Sequence, residues 1–258
     1  MEKNNKGRNL VVALAGIGIL AVAVIIAIWR FGGNDQPKDT SRMTNQNQSE
    51  MKAPSAMNEN LQLGSAKQEP KTKAVIPASL ADAGEFSENI YDAARIDDWK
   101  TAESKLSDLK SAVKKLEGEK IDSGSLLTTL KSLGEAVSGK NKYGALEISN
   151  RFTLEAADLT AKFDPRVPVE VTKLDYYGRE IEIRAGEKDE TKLKQTTREM
   201  RKTWDAVRSR VEANKGEKEA ALFEGLVKRA EAASSVADYA KLATPILDEV
   251  DNLENVFN

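Results

Sequence analysis

The sequence predicts an all-α protein: a single-pass membrane anchor followed by an extracytoplasmic helical bundle of about six helices, built as two pseudo-repeated three-helix units. Three observations carry this reading. Leu10 to Trp29 is an uncharged apolar run. Residues 32–74 are rich in Asn, Gln, Ser, Lys and Pro and contain no aromatic residue. From Ser79 to the C-terminus, apolar residues recur three and four positions apart, the period of a helix with one buried face.

The anchor comes first. Twenty residues rising about 1.5 Å each span roughly 30 Å as a helix, the thickness of a bilayer's hydrocarbon core. Lys3, Lys6 and Arg8 precede the run, so the positive-inside rule puts residues 1–9 in the cytoplasm as a short stub. Signal-peptide cores are shorter and end at small residues, whereas this run ends in Ile28, Trp29, Arg30 and Phe31. An uncleaved transmembrane helix over 10–30 follows from that, with residues 10–29 in contact with lipid. Lipoprotein processing is excluded because the chain has no cysteine to acylate. Ala13, Gly16, Ala23 and Ala27 fall on one stripe of the helix, where small side chains let two membrane helices approach. The stripe is a candidate homodimer contact.

Residues 31–78 read as a disordered tether, because so polar a segment buries too little surface to offset the entropy of ordering. The bundle occupies 79–258, divided into a first half (79–163), a connector (164–188) and a second half (189–258). In the first half, Trp99, Ala102, Leu106, Leu109, Val113 and Leu116 form the stripe of a long helix that begins as early as Phe86, with Asp97 or Asp98 able to cap a break. Leu126, Leu127, Leu130, Leu133 and Val137 mark a second helix. Asn141 caps a third, whose stripe runs from Tyr143 through Leu146, Phe152, Ala156 and Leu159 to Phe163, ahead of Asp164–Pro165.

The second half echoes the first. Leu193, Met200, Trp204, Val207 and Val211 resemble the first stripe. Leu222, Phe223 and Leu226 resemble the second, and Tyr239, Ile246, Val250, Leu253 and Phe257 the third. At offsets of 94 to 96, Leu126–Leu127 aligns with Leu222–Phe223, Tyr143 with Tyr239, and Phe152, Ala156, Leu159 and Phe163 with Ile246, Val250, Leu253 and Phe257. Such self-similarity is the mark of repeated supersecondary units. Ser235 with Asp238 gives a capping-box start to the last helix, and Pro245 is expected to kink or break it. Trp99 and Trp204 are expected in the core.

The connector is ambiguous. Val171, Leu174, Tyr177 and Ile181 fit a helix face, while Glu180–Arg184 alternates like a strand, so a short crossing helix and a β-hairpin both remain open. Its Tyr176, Tyr177, Arg179 and Glu180 are the densest aromatic and charged cluster, and interfaces concentrate Tyr and Arg. These four are the candidate partner surface.

Composition narrows the chemistry. The chain has 39 basic and 41 acidic side chains, and its basic excess is confined to the N-terminus, so no nucleic-acid partner is expected. With neither histidine nor cysteine, serine–histidine and cysteine–histidine catalysis, imidazole-ligated iron and the usual zinc sites are closed. Acids collect on the third helix of each half: Glu147, Glu155 and Asp158, then Asp248, Glu249, Asp251 and Glu254. Oxygen ligands suit hard cations, but the apolar register places most of these acids on the solvated face. No catalytic, cofactor-binding or metal residue is assigned, and the chain is not expected to be an enzyme. The expected role is a membrane-displayed interaction or scaffold domain that recruits another envelope protein in the periplasm or outside the cell. The alternative is a helical domain that binds a small ligand or hard cation.

Overall fold

A computed structural model describes residues 75–258. The stub, the apolar run with its Ala13, Gly16, Ala23 and Ala27 stripe, and the tether up to residue 74 lie outside the described residues. Among the described residues, no helix is long and apolar enough to cross a membrane. They form eight α-helices and a single 3-10 turn. The helices are α1 (Ala78–Arg95), α2 (Trp99–Gly118), α3 (Gly124–Ser138), α4 (Lys142–Thr160), α5 (Val169–Glu187), α6 (Glu190–Ala213), α7 (Glu217–Glu231) and α8 (Val236–Asn255).

Eight helices replace the expected six because two breaks are sharper than the residue types suggest. The first predicted helix is two, α1 and α2. Asp97 turns left-handed at φ 61°, the Asp98 N–H donates back to the Ala93 carbonyl, and the Asp98 carboxylate then caps α2 by accepting from the Thr101 N–H at 3.1 Å. The connector is likewise a full helix of 19 residues, α5, and the strand-like alternation from Glu180 to Arg184 lies within it. The same termination recurs at Lys120, Lys140, Lys188 and Lys215, each left-handed, each followed by an N–H bonded five residues back. Glycine is the usual residue there, because it adopts positive φ without a Cβ clash. Asn141, Asp189 and Ser235 cap α4, α6 and α8 through their side chains. Helix α8 runs through Pro245 without ending.

The burial pattern repeats helix by helix. In α1 and α5, Leu80, Ala83, Ile90 and Ala94 have buried counterparts 91 positions on: Val171, Leu174, Ile181 and Ala185. In α2 and α6 the same shift relates Ala102, Leu106, Leu109, Val113 and Leu116 to Leu193, Thr197, Met200, Trp204 and Val207. From α3 onward the shift is 94, pairing Leu126, Thr129, Leu133 and Ala136 with Ala220, Phe223, Val227 and Ala230, then Phe152, Ala156 and Leu159 with Ile246, Val250 and Leu253. The extra length sits at the end of α6, where Val211 adds a buried turn. Each repeat is therefore four helices, α1–α4 and α5–α8, not three. Two alignments made at offset 96 fail in register: Leu126 is buried while Leu222 is 48% exposed, and Tyr143 is 43% exposed while Tyr239 is buried.

Within each unit, every helix packs on its chain neighbour and the first helix packs along the fourth. Each unit has its own apolar cluster. The first is made mainly of Leu and Ala, with Trp99 partly buried against it. The second is filled by Trp204 and Phe223, whose ring centroids lie 4.9 Å apart. The Trp204 indole N–H donates to Glu224 at 2.8 Å, which satisfies its one polar atom. A hydrogen bond from Arg201, with that from Trp204, holds the Glu224 carboxyl down at about 2.

Candidate functional site

Helix α5 has no outer face over much of its length. Gly178, Arg179, Glu180 and Ile181, then Ile183, Arg184 and Ala185, are all buried, because α5 packs within its own unit and also against the first. Its charged residues consequently have to find partners inside the protein.

Equivalent positions meet across this seam. Glu88 of α1 and Arg179 of α5 stand 91 residues apart, and they pair with Arg179 Nη2 3.5 Å from Glu88 Oε2. Tyr91 and Glu182 stand 91 apart as well, and the Tyr91 hydroxyl donates to Glu182 Oε2 at 2.9 Å. A contact in which position i of one repeat meets position i of the other is the geometry of an isologous dimer, here within one chain.

The two flanks of the seam differ. On one, α4 packs along α5. Arg184 is 5% exposed and bonds Glu180 at 3.0 Å, Glu187 at 2.7 Å and Glu147 at 2.8 Å. Asn150 donates both to the Tyr176 carbonyl and to Glu180. The hydrogen bond from Arg184 lowers the Glu147 carboxyl, whereas burial raises that of Glu180. This flank is closed by direct pairs.

The other flank lies between α1 and α8, which make no comparable contact. Here Arg179 bonds Asp175 at 3.0 Å, stands 5.3 Å from the Tyr91 ring centroid, and leaves Nη1 without an acceptor. Around it gather Glu88 and Asp92 from α1, Asp175 from α5, and Asp251 and Glu254 from α8. Burial, together with mutual repulsion, raises Glu88 to about 7, Asp251 to about 6 and Glu254 to about 8. Asp175 is also raised, first by burial, against the pull of Arg179.

The expected partner surface is thus redistributed. Arg179 and Glu180 are buried at 8% and 7% exposure, so they hold the two units together instead of facing solvent. Tyr176 and Tyr177 are half-buried in an edge-to-face pair at 5.2 Å, and Tyr177 packs on the second core. The acids of the fourth helices are also less solvated than their register suggests. Asp158 and Asp248 are exposed, but Glu249 is buried with Oε1 unpartnered, and Asp251 and Glu254 are partly buried within electrostatic reach of Arg179. Glu155 accepts from the Thr129 hydroxyl at 2.9 Å. Among the described residues, no group of acidic side chains is arranged to hold a metal ion. Glu88, Tyr91, Asp175 and Glu182 carry no local signal in the sequence; what reveals Glu88 and Tyr91 is their 91-residue relation to Arg179 and Glu182. No protein-family model, curated protein or solved structure matches this chain.

Proposed function

We propose that this protein is a membrane-anchored scaffold. Its N-terminus lies in the cytoplasm, and its helical domain is displayed in the periplasm or outside the cell to recruit another envelope protein. The observation that carries the reading is the uncharged run from Leu10 to Trp29 behind Lys3, Lys6 and Arg8. A polar segment of some forty residues then gives the helical domain reach from the bilayer, and tethering raises its effective concentration toward partners at the same membrane. The small-residue stripe of the anchor is the contact through which two copies pair.

A recognition role fits the side-chain chemistry of the helical domain. Its ionisable groups are engaged with one another along the α5 seam, and histidine and cysteine are absent from the chain. The large apolar side chains exposed among the described residues are few, Val75, Ile96, Leu127, Tyr143 and Leu222, so the partner is met through a mostly polar surface.

Crosslinking in intact cells with a photoreactive residue at Leu127 or Leu222, combined with alkaline carbonate extraction of membranes, tests this reading. The full chain is expected to stay with the membrane pellet, to lose that association when residues 1–30 are deleted, and to form a discrete adduct with one envelope protein. Extraction of the intact chain into the soluble fraction would overturn the anchor, and the absence of any protein adduct would overturn the scaffold.

A further inference from the structure

We propose that the α1–α5–α8 flank is a proton-operated clasp between the two four-helix units, shut while its carboxyls share protons and loosened once all of them ionise.

The geometry is that of an unbalanced interface. Arg179 lies within electrostatic reach of carboxyls on three helices: Glu88 and Asp92 on α1, Asp175 on α5, and Asp251 and Glu254 on α8. Arg179 bonds Asp175 and reaches Glu88, and the half-exposed Asp92 stands 3.9 Å from Arg95, so Asp251 and Glu254 are the two carboxyls left without a direct ion pair among the described residues. The other charged and titratable groups at this flank do not correct the deficit. Arg95 extends from the end of α1 toward Asp92 and Glu182 at 3.9 Å, and its side chain is 47% exposed. Tyr91 is neutral, donates to Glu182, and lies beneath the Arg179 guanidinium. Asp248 on α8 adds a further negative charge beside Asp251.

Like charges held in a partly buried seam relieve their repulsion in one of two ways: they keep protons, or their helices move apart. Both routes are open here. Burial, the largest cause in each case, raises Glu88 to about 7, Asp251 to about 6 and Glu254 to about 8. Separation is also available, because α1 and α8 are not packed together as α4 and α5 are. The closed flank at Arg184 then acts as the hinge side, since its carboxylates are matched by direct bonds at 2.7–3.0 Å. Linkage gives the sign. The closed form binds more protons than the open one, so closure is favoured by acidification and lost as pH rises through the raised carboxyl values. A helical domain displayed outside the cytoplasm would thereby report the pH of its compartment by the spacing of its two halves.

Hydrogen exchange of the detergent-solubilised full chain at pH 5.5 and pH 8.0, corrected for intrinsic exchange rates, tests the clasp. Peptides from α1 and α8 are expected to lose protection by roughly tenfold or more per proton released per pH unit, while α3 and α7 change little. The Glu254→Gln and Glu88→Gln variants, which mimic the protonated state, are expected to keep their protection at pH 8.0. Glu103→Gln, at an exposed acid on α2, is expected to behave as the unmodified chain does. Equal protection of α1 and α8 at both pH values would overturn the proposal, as would Gln variants that loosen with pH as the unmodified chain does. Should a Gln variant fail to fold, the exchange profile of the unmodified chain decides alone.

Discussion

The two flanks of α5 use the same chemistry in opposite proportions. At Arg184 three carboxylates bond one buried guanidinium directly, and one of them, Glu147, is held below its ordinary range by its bond to that guanidinium. At Arg179 one guanidinium bonds Asp175 closely, stands 3.5 Å from Glu88 and keeps an idle Nη1, with Asp92, Asp251 and Glu254 within electrostatic reach. The difference teaches that a buried ion pair is no measure of stability by itself; what counts is how many charges it leaves over. The α4 flank is a lock, and the α8 flank is a store of protons.

The comparison can be broken most forcefully at Arg179. Arg179→Met removes the buried cation of the crowded flank and leaves only the half-exposed Arg95 near Asp92 and Glu182 among the described residues, and about 3–5 kcal/mol of stability is expected to go with it at pH 8. The loss should shrink by pH 5, where the orphaned carboxyls take up protons. Urea unfolding at the two pH values measures both numbers, and a loss independent of pH would mean that the acids near Arg179 do not interact with it.

A smaller effect contrasts the equivalent positions Ser87 and Gly178, each placed where the first helix of a unit crosses the fourth. Ser87 shares a 2.9 Å hydrogen bond with Thr153, whereas a Cβ at Gly178 would stand 2.6 Å from Leu247 Cδ2. Gly178→Ala is therefore expected to cost about 1–3 kcal/mol through overpacking against α8. Ser87→Ala should cost nearer 1 kcal/mol, the net worth of a hydrogen bond. Thermal unfolding of the two variants side by side checks the order.

The smallest change concerns the turn just after α5. Lys188 sits at φ 60°, where a side chain is strained. Lys188→Gly relieves the strain at some cost in unfolded-state entropy, and a gain of up to about 1 kcal/mol is expected in the same unfolding assay.

Much of this fold is legible along the chain because it is local. The stripe from Ala102 to Leu116, the caps at Asp98, Asn141 and Ser235, and the helical repeat all depend on residues within a few turns. What escaped reading is set by other elements. Lys and Asp occupy left-handed positions that glycine would have announced, so α1 and α2 read as one helix and α5 as a loose connector. The equivalence of Glu88 with Arg179 is hidden because the two side chains are opposite in charge; that opposition is the reason they pair. Glu254 has a solvated register within α8, yet it is partly buried and feels the charges of Asp175 and Arg179 on α5 and of Glu88 on α1. The Tyr176, Tyr177, Arg179 and Glu180 cluster stood out by composition, but composition does not say whether a cluster faces outward or into a seam.

The most direct test of the central claim, that Glu88 and Glu254 at the α8 flank store protons at neutral pH while Glu147 at the α4 flank does not, is a residue-resolved titration of the side-chain carboxyl carbons by 13C NMR. Glu254 and Glu88 are expected to titrate near 8 and 7, with Glu147 below the ordinary glutamate range. Because the raised groups are protonated more in the folded than in the unfolded chain, stability should fall as pH rises from about 4.5 to 8. Glu254 and Glu88 midpoints in the ordinary range near 4.3 would contradict the account.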